Sequence, residues 1–400
     1  MQAIVNTKLI LEDGIIWDGA LTFDQGRIVA AGRRGEVDIP AGTEETDAGG
    51  LYTAPGLIDI HNHGSETHMF HEDPLACARH FLRCGETTIL PTFYCNLTAE
   101  QILDGAEKMR AVSGRGAGQV IGGFYMEGPY MNGLGSNQNS ILWTGGIVEA
   151  EYAPLVDQLG AEARVWAIDP NRKGIEGFLS YVRARNPQAI FALGHSDAAA
   201  ARCREIEDYG IRLQTHHGDS GKAPGHAQGT IGSGCDEYTL YHPDMYAEMI
   251  CDEMGVHLDA DMIRMVVRTK GVEKLILITD SMRSGVDPAT GRPYLNNPAD
   301  GIVYGPDLNY DYEGHLAGSH LTLDRACRNF MAHSGYGLCH AIRCATLNPA
   351  RLLGLDREIG SLRPGRLANL ILLDDMVHIH KVFLKGELAC VDGVLTAAME

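Results

Sequence analysis

Eight short apolar segments, rich in β-branched residues, recur between Gly56 and Asp280. Stretches with helical periodicity separate them, and their mid-points lie about 31 residues apart, the length of one βα unit. The segments are residues 56–63, 87–92, 120–127, 165–170, 190–196, 212–217, 247–258 and 274–280. Repeated βα units form a parallel sheet, and eight of them close a barrel. The sequence therefore predicts an α/β fold built on a TIM-like (β/α)8 barrel.

The two ends of the chain have a different pattern. The first fifty residues show short strands separated by turns at Glu12-Asp13-Gly14, Asp18-Gly19 and Asp24-Gln25-Gly26, which predicts a small antiparallel sheet. Residues 355–400 return to this turn-rich pattern. We expect residues 1–53 and 355–400 to form one composite β-sandwich domain, and residues 54–354 to form the catalytic barrel inserted into it.

The charge and the cysteine usage indicate which partners and which compartment to expect. The 400 residues include 33 Lys and Arg against 52 Asp and Glu, a formal charge of -19, so the overall field repels nucleic acid. No window approaches the ~20 apolar residues of a membrane span, and Glu12 and Asp13 interrupt any signal peptide. Ten cysteines without a CxxC pair predict free thiols. We expect a cytoplasmic protein without a nucleic-acid or membrane partner.

Polar residues stand where the predicted barrel strands end, which is where such barrels carry their chemistry. They are His61, His63, Glu127, His195, His216 and Asp280. A carboxylate that ends a buried strand is costly unless a cation meets it, and mixed nitrogen and oxygen ligands suit Zn, Fe or Mn with one position open for water. The alternative is that each is a hydrogen-bonded residue of the barrel mouth.

Histidine spacing alone is a weak signal. Residues i and i+2 of a strand point to the same face, so His61 and His63 can reach one ion from one side. His378 and His380 have the same spacing, but no strand that ends in a carboxylate lies near them in the sequence. We predict that this second pair is a surface or cross-strand pair.

Several motifs together resemble the amidohydrolase superfamily and, within it, the N-acetylglucosamine-6-phosphate deacetylases. The match runs nearly end to end and rests on APGLIDIHNHG (54–64), MEGPYMN (126–132), LGHSDA (193–198), THH (215–217), GVHL (255–258), LITDS (277–281), HLAGSHLTLDRACRN (315–329), ATLNPARLLGL (345–355) and GSLRPGRLANLILLD (360–374). The resemblance implies a barrel inserted into a split β-sandwich, an obligate divalent metal and a homodimer.

The resemblance also implies roles for the strand-end residues. Glu127, His195 and His216 match the metal ligands of the deacetylase branch, and Asp280 matches its catalytic acid/base. His61 and His63 match members that keep this histidine pair, which allows a second ion bridged by Glu127. We expect zinc first, with iron and manganese as alternatives, and one ion or two.

The resemblance also implies substrate contacts, and this chain departs from the family pattern at two places. His257 matches a histidine that contacts the sugar, and Leu316-Ala317-Gly318 match a loop that lies against the ligand. Relatives place a Phe-Asn-Ala-Met-like segment after the second metal histidine, where this chain has the stretch His217-Gly218-Asp219-Ser220-Gly221-Lys222. Asp219 would repel a phosphate unless it faces away, whereas Lys222 matches an arginine that reaches the phosphate of the neighbouring subunit's ligand.

The second departure follows Glu127, where relatives place a histidine that polarises the acetyl carbonyl. This chain reads GSNQNS at residues 135–140, so Gln138 or Asn139 is the candidate donor, and loop asparagines are also common turn formers.

The activity implied is removal of the N-acetyl group from an N-acetylhexosamine 6-phosphate of glucosamine or galactosamine type. Hydrolysis of an amide needs an activated water and a proton for the departing amine, and Asp280 can serve both proton transfers. A non-phosphorylated N-acetyl sugar or another N-acyl compound is the alternative substrate, because residues 217–225 depart from the family pattern. A catalytically silent binding protein is the alternative from another class.

Overall fold

The computed structural model describes residues 1–134, 140–219, 221, 222, 225, 229–283, 305–310 and 315–400. The N-terminal segment forms five strands, which are β1 (Gln2–Ile10), β2 (Ile15–Asp24), β3 (Arg27–Arg33), β4 (Glu44–Asp47) and β5 (Tyr52–Pro55). Strands β1, β2 and β3 pair antiparallel, whereas β4 and β5 both pair with β1 in parallel. The prediction of an antiparallel sheet in the first fifty residues is therefore correct for the hairpins and wrong for β4, whose pairing is not local.

The predicted turn at Asp18-Gly19 is also wrong, because these residues lie inside β2. The register between β1 and β2 shifts at the pair Thr7 and Gly19, which is the signature of an irregularity within the ladder. A Cβ atom at Gly19 would lie 2.6 Å from Cγ of Leu9, so the glycine permits close approach of β1 rather than a chain reversal.

Eight parallel strands follow, in the predicted order. They are β6 (Leu57–Asn62), β7 (Glu86–Tyr94), β8 (Phe124–Glu127), β9 (Ala163–Ile168), β10 (Ile190–Leu193), β11 (Ile211–Gln214), β12 (Tyr246–Ile250) and β13 (Leu275–Ile278). Each pairs with the next in one sheet. Backbone N–H groups of Asp280 and His63 donate to the carbonyls of His61 and Ser281, at 2.9 and 2.8 Å, and join the two ends of the sheet. The predicted barrel is confirmed.

The predicted strand over 247–258 is too long. Strand β12 ends at Ile250, and Asp252 turns the chain because its carboxylate accepts the backbone N–H groups of Val256 and His257 at 2.9 to 3.0 Å. Local side-chain-to-backbone bonds of this kind compete with strand pairing. His257 therefore lies in a loop beyond the strand.

Helices pack around the strands. They are α1 (Pro74–Arg83), α2 (Ala99–Ser113), α3 (Glu149–Leu159), α4 (Ile175–Arg185), α5 (Ala200–Glu205), α6 (Cys235–Tyr241), α7 (Ala260–Lys270), α8 (Leu323–Ser334), α9 (Leu338–Cys344) and α10 (Leu347–Leu352). For α7, the sequence explains where the helix begins and which face is buried. Asp259 caps α7 by accepting from two backbone N–H groups, and Ile263, Val266 and Val267 form its buried stripe. Within the described ranges, no helix combines the length and apolar character needed to cross a bilayer.

A two-stranded antiparallel ribbon, β14 (Leu308–Tyr310) and β15 (Leu316–Ser319), follows the barrel strands. The C-terminal segment then adds β16 (Leu370–Leu373), β17 (Ile379–Leu384), β18 (Glu387–Val391) and β19 (Val394–Leu395). Strand β16 pairs antiparallel with β5, so both chain ends form one nine-stranded mixed sheet.

A second apolar core lies between the N-terminal and C-terminal strands of this sheet. Phe23 of β2 contacts Phe383 of β17 with ring centroids 5.7 Å apart, and Leu21 and Leu370 belong to the same cluster. Two β layers thus enclose a core separate from that of the barrel. The predicted fold class is confirmed, and the domain limits at 53/54 and 354/355 stay a prediction.

Candidate metal centre

The carboxyl ends of five barrel strands bring the six strand-end side chains together. His61 and His63 belong to the end of β6, and Glu127 is the last residue of β8. The remaining three, His195, His216 and Asp280, each stand two residues beyond their strand and have positive φ angles of 47°, 24° and 47°. Such backbone conformations are uncommon outside glycine and turn these side chains inward at the barrel mouth.

The carboxylate of Glu127 lies at the middle of the cluster. Its Oε1 is 3.1 Å from Nε2 of His195 and 3.1 Å from Nε2 of His216. We call these three residues the His195–His216 half-site. Its donor atoms all lie within 4.8 Å of one another, and all three residues are buried.

The other oxygen of Glu127 faces the first histidine pair. Its Oε2 lies 3.1 Å from Nε2 of His63 and 3.7 Å from Nε2 of His61, and Oδ1 of Asp280 lies 3.1 and 3.5 Å from the same two nitrogens. We call Glu127, His61, His63 and Asp280 the His61–His63 half-site. The two half-sites share one carboxylate, an arrangement that can bridge two ions.

The hydrogen bonds behind the imidazoles test whether a cation fits. Nδ1 of His195 is 3.0 Å from the carbonyl oxygen of Leu134, and Nδ1 of His61 is 3.1 Å from Oε2 of Glu248. Because these partners are acceptors, Nδ1 carries the proton in the neutral ring, and Nε2 presents a lone pair toward Glu127. Two acceptors at such distances repel each other unless protons or a cation lie between them. The donor set therefore fits a divalent metal.

The contacts among these side chains also determine how the cluster ionises. Burial favours the neutral forms, but mutual contacts outweigh it: hydrogen bonds from the imidazoles hold the pKa of Glu127 well below its usual range. Contact with Glu127 raises the pKa of His216 to about 9 against the effect of burial. The charges of Glu248 and Asp280 likewise raise the pKa of buried His61. Without a metal, the cluster binds protons where a metal would bind.

The structure connects His257 and the strand of Leu316, Ala317 and Gly318 to Asp280. Nδ1 of buried His257 is 3.1 Å from Oδ2 of Asp252, and its Nε2 is 3.2 Å from the carbonyl oxygen of Gly318 in β15. The backbone N–H of Ser319 donates to the carbonyl of Asp280 at 2.9 Å. A Cβ atom at Gly318 would lie 2.6 Å from that carbonyl, so glycine is needed for this approach. The strand of Leu316, Ala317 and Gly318 thus lies against the metal centre.

The two residues after His216 contact other side chains of the barrel. The ring of His217 is buried, with Nδ1 3.0 Å from Oε1 of Gln214 and 3.6 Å from Asp236, and burial lowers its pKa. These contacts hold it in the barrel wall beside Gly218, whose N–H donates to Asp236 at 3.4 Å.

The charged residues of this segment lie at the rim. Oδ2 of Asp219 is 4.0 Å from Nδ1 of His216, the ring nitrogen that does not face Glu127, so its carboxylate lies behind this imidazole. Lys222 is exposed, and its backbone N–H donates to the carbonyl of Ser196 at 3.2 Å. Gln138 and Asn139 lie outside the described residues.

Sequence reasoning missed three buried carboxylates that support the cluster, which are Asp59, Glu248 and Asp252. Asp59 accepts the backbone N–H of His61 at 3.2 Å and the hydroxyl of Thr279 at 2.6 Å. The signal was present, because each carboxylate interrupts or follows an apolar strand in the same manner as Glu127. The cost of burying a carboxylate could have identified all three.

Comparisons with known proteins agree with this geometry. A model described as "Amidohydrolase family" matches residues 52–391. The N-acetylgalactosamine-6-phosphate deacetylase of Escherichia coli O157:H7 is 30% identical over 393 residues, covering 96% of this chain and 97% of that protein. The N-acetylglucosamine-6-phosphate deacetylase of Vibrio furnissii is 27% identical over 387 residues, covering 93% and 90%. The crystal structure of N-acetylglucosamine-6-phosphate deacetylase from Pasteurella multocida shares the fold, with a TM-score of 0.82 at 22% identity over 97% of this chain and 99% of that one.

Proposed function

Because the chain belongs to the amidohydrolase family and is a hydrolytic enzyme that acts on an amide, we propose that it is a metal-dependent deacetylase of an N-acetylhexosamine 6-phosphate. The products are acetate and the amino sugar phosphate, of glucosamine or galactosamine type. One observation carries the proposal: four imidazoles and Asp280 converge on the carboxylate of Glu127, with acceptor atoms facing one another as metal ligands do. Because all six side chains of the cluster are present, we do not favour a catalytically silent protein.

Each half-site would hold one ion. We propose that Glu127, His195 and His216 hold one ion, and that His61 and His63 hold a second together with Glu127 and Asp280. Zinc is the first candidate and iron and manganese are the others, because the ligands are imidazole nitrogens and carboxylate oxygens. When bound, the ion lowers the pKa of a water from ~16 to roughly 7 and polarises the amide oxygen.

Asp280 moves the protons. Burial opposes its ionisation, but the charges of His61 and the contact with His63 bring the pKa of Asp280 below its ordinary value, so the carboxylate is ready to accept a proton. Its carboxylate takes the proton of the attacking water and returns it to the amide nitrogen as the C–N bond breaks. The hydrogen bond from its backbone N–H to the carbonyl of His61 fixes the carboxylate at the mouth.

Substrate contacts are proposed for the residues around this carboxylate. His257, held by Asp252, and the strand of Leu316, Ala317 and Gly318 lie beside Asp280 and suit the sugar ring. His217 and Gly218 are further candidate contacts. Lys222 at the rim is the candidate phosphate contact, and either Gln138 or Asn139 is the candidate donor to the acetyl oxygen. Lysine would act there as a point charge rather than a bidentate group.

Asp219 favours a second candidate, an N-acetyl sugar without a phosphate or another N-acyl compound. Its carboxylate lies 4.0 Å from Nδ1 of His216, within the segment that departs from the family pattern, and would repel a phosphate held there. The second candidate keeps the metal and the proton transfers and changes only the group at C6.

An acetate-release assay over matched N-acetylhexosamines, with and without a 6-phosphate, tests the proposal. We expect kcat/KM to be highest for a 6-phosphorylated substrate, and pairs of gluco and galacto configuration to identify the epimer. A preference for the unphosphorylated partner would replace the first candidate with the second.

We further propose a cytoplasmic homodimer that uses a small amino sugar substrate. All ten cysteines are free thiols, including Cys203 and Cys235 with sulfur atoms 3.7 Å apart, which supports a reducing compartment. The dimer is supported by the family resemblance, and sedimentation analysis of the purified chain tests it.

A further inference from the structure

A buried glutamate stands behind the first histidine pair. Glu248 of β12 is fully buried, and its Oε2 lies 3.1 Å from Nδ1 of His61 and 3.1 Å from the backbone nitrogen of His216. A single carboxylate oxygen therefore contacts one residue from each half-site. Neither the sequence motifs nor the proton transfers proposed above assign a role to this residue.

Glu248 fixes the tautomer of His61. Because Oε2 already accepts the backbone N–H of His216, the proton shared with His61 lies on Nδ1 of the ring. The other nitrogen, Nε2, is buried and has no hydrogen-bond partner among the described residues. Its lone pair points toward the oxygens of Glu127 and Asp280, at 3.7 and 3.5 Å. A carboxylate behind an imidazole in this way also raises its basicity as a ligand.

The orientation of the ring is fixed on a second side. The ring of Tyr125 stacks on His61 with centroids 4.3 Å apart and planes 29° apart, and its hydroxyl lies 2.8 Å from Oγ1 of Thr215. His63 differs, because its Nδ1 has no hydrogen-bond partner within the described part of the chain. Of the two histidines in this half-site, His61 is thus the one whose ligand atom is aimed by the protein.

We propose that Glu248 is a positioning residue that makes His61 a ligand for a second divalent ion, so that the centre binds two ions bridged by Glu127. The inference rests on the proposed function, since it takes the cluster to be a metal centre. It goes beyond that function by making the affinity for the second ion depend on a residue outside the ligand set. Glu248 acts through His61 and does not itself contact substrate.

A cobalt titration of metal-free protein tests the role, read by metal per chain and by the visible spectrum of bound Co²⁺. The wild-type chain should bind two ions. Glu248→Leu removes the acceptor at nearly constant volume and should leave one ion tightly bound, with the second bound 10- to 100-fold more weakly than in the wild type. Glu248→Gln keeps an acceptor but loses the charge, so its loss should be smaller.

Glu86→Gln is the matched control. Glu86 is also a fully buried carboxylate of the barrel, but its Oε1 accepts the backbone N–H of Leu323 at 3.0 Å and no described contact joins it to an imidazole. This variant should bind two ions as the wild type does. Thermal unfolding of each variant comes first, and if Glu248→Leu does not fold, Glu248→Gln carries the test alone.

A double-mutant cycle separates positioning from general stability. Because Glu248 acts through His61, adding Glu248→Leu to His61→Ala should not weaken the second ion further. A wild-type chain that binds one ion, a Glu248 variant that keeps both ions at full affinity, or additive losses in the cycle would each overturn the role. These readouts are independent of deacetylation, so a chain that binds two ions but releases no acetate contradicts the proposed function and leaves this inference standing.

Discussion

The His61-Asn62-His63 motif at the end of β6 and the His378-Ile379-His380 motif at the start of β17 share their spacing but have opposite surroundings. The side chains of the first pair are 0% and 2% exposed, and those of the second are 61% and 40% exposed. Burial is therefore the first difference between them.

The carboxylates differ as well. His61 and His63 share Glu127 and Asp280, whereas His378 pairs with Asp374 at 2.8 Å and His380 pairs separately with Asp392 at 3.2 Å. Separate partners make two independent surface ion pairs, and shared partners in a buried space make a cluster that needs a cation. Two imidazoles on one strand face become a metal centre through what the rest of the fold places beside them.

Exchanging a carboxylate beside each histidine pair for an amide should give the largest difference between the two pairs. Asp280→Asn should leave metal bound at Glu127, His195 and His216 but lower kcat by ~100- to 10,000-fold, because the proton acceptor is lost. Asp392→Asn, the same change beside the surface pair, should leave kcat unchanged. Steady-state kinetics with metal analysis checks both, and near-normal turnover of Asp280→Asn would refute its role.

Removing the imidazoles tests the pairs themselves. His61→Ala with His63→Ala should weaken the second ion on the order of 100-fold or more, since even partners behind a ligand contribute 10- to 100-fold. His378→Ala with His380→Ala should change neither metal content nor affinity. Equal metal loss in the two double variants would show that burial does not distinguish them.

Metal binding at the buried cluster should also depend on pH. In the metal-free protein the pKa of His216 is raised to about 9, so below that pH a proton must leave before a metal binds. Affinity should therefore rise with pH between about 6 and 9, by up to ~10-fold per pH unit for each proton released. Calorimetry in buffers of different ionisation enthalpy counts these protons, and an affinity independent of pH would contradict the shift.

The smallest effect is expected on stability at the surface pair. Asp392→Ala breaks the contact with His380, and exposed ion pairs contribute under about 1 kcal/mol. Urea unfolding should show a change in the free energy of unfolding within that limit. A loss of several kcal/mol would mean that the surface pair is part of a larger structure.

Periodicity predicted the barrel because its strands are buried on both faces. The Leu-Ile-Leu-Ile run of β13 is wholly buried, and its length and flanking residues identify a strand without knowledge of its neighbours. The strand-end positions of Glu127 and Asp280 follow from the same periods. Functional residues that stand at the end of a strand can thus be predicted from sequence.

What depends on distant partners was not accessible. Glu248 meets His61 across 187 residues of sequence, and β5 pairs with β16 across the whole barrel. The end of β12 also depends on the tertiary setting, since the backbone N–H of Glu253 donates to Asp307 at 2.9 Å. Local propensity does not contain these contacts, which arise only when the barrel closes.

Anomalous scattering from crystals of the zinc-reconstituted protein, recorded on both sides of the zinc absorption edge, would locate the bound ions. We expect anomalous density beside Glu127, with one peak among Glu127, His195 and His216 and a second among His61, His63 and Asp280. A cluster without anomalous density, or zinc bound only at surface pairs such as His378 and His380, would contradict the proposed metal centre.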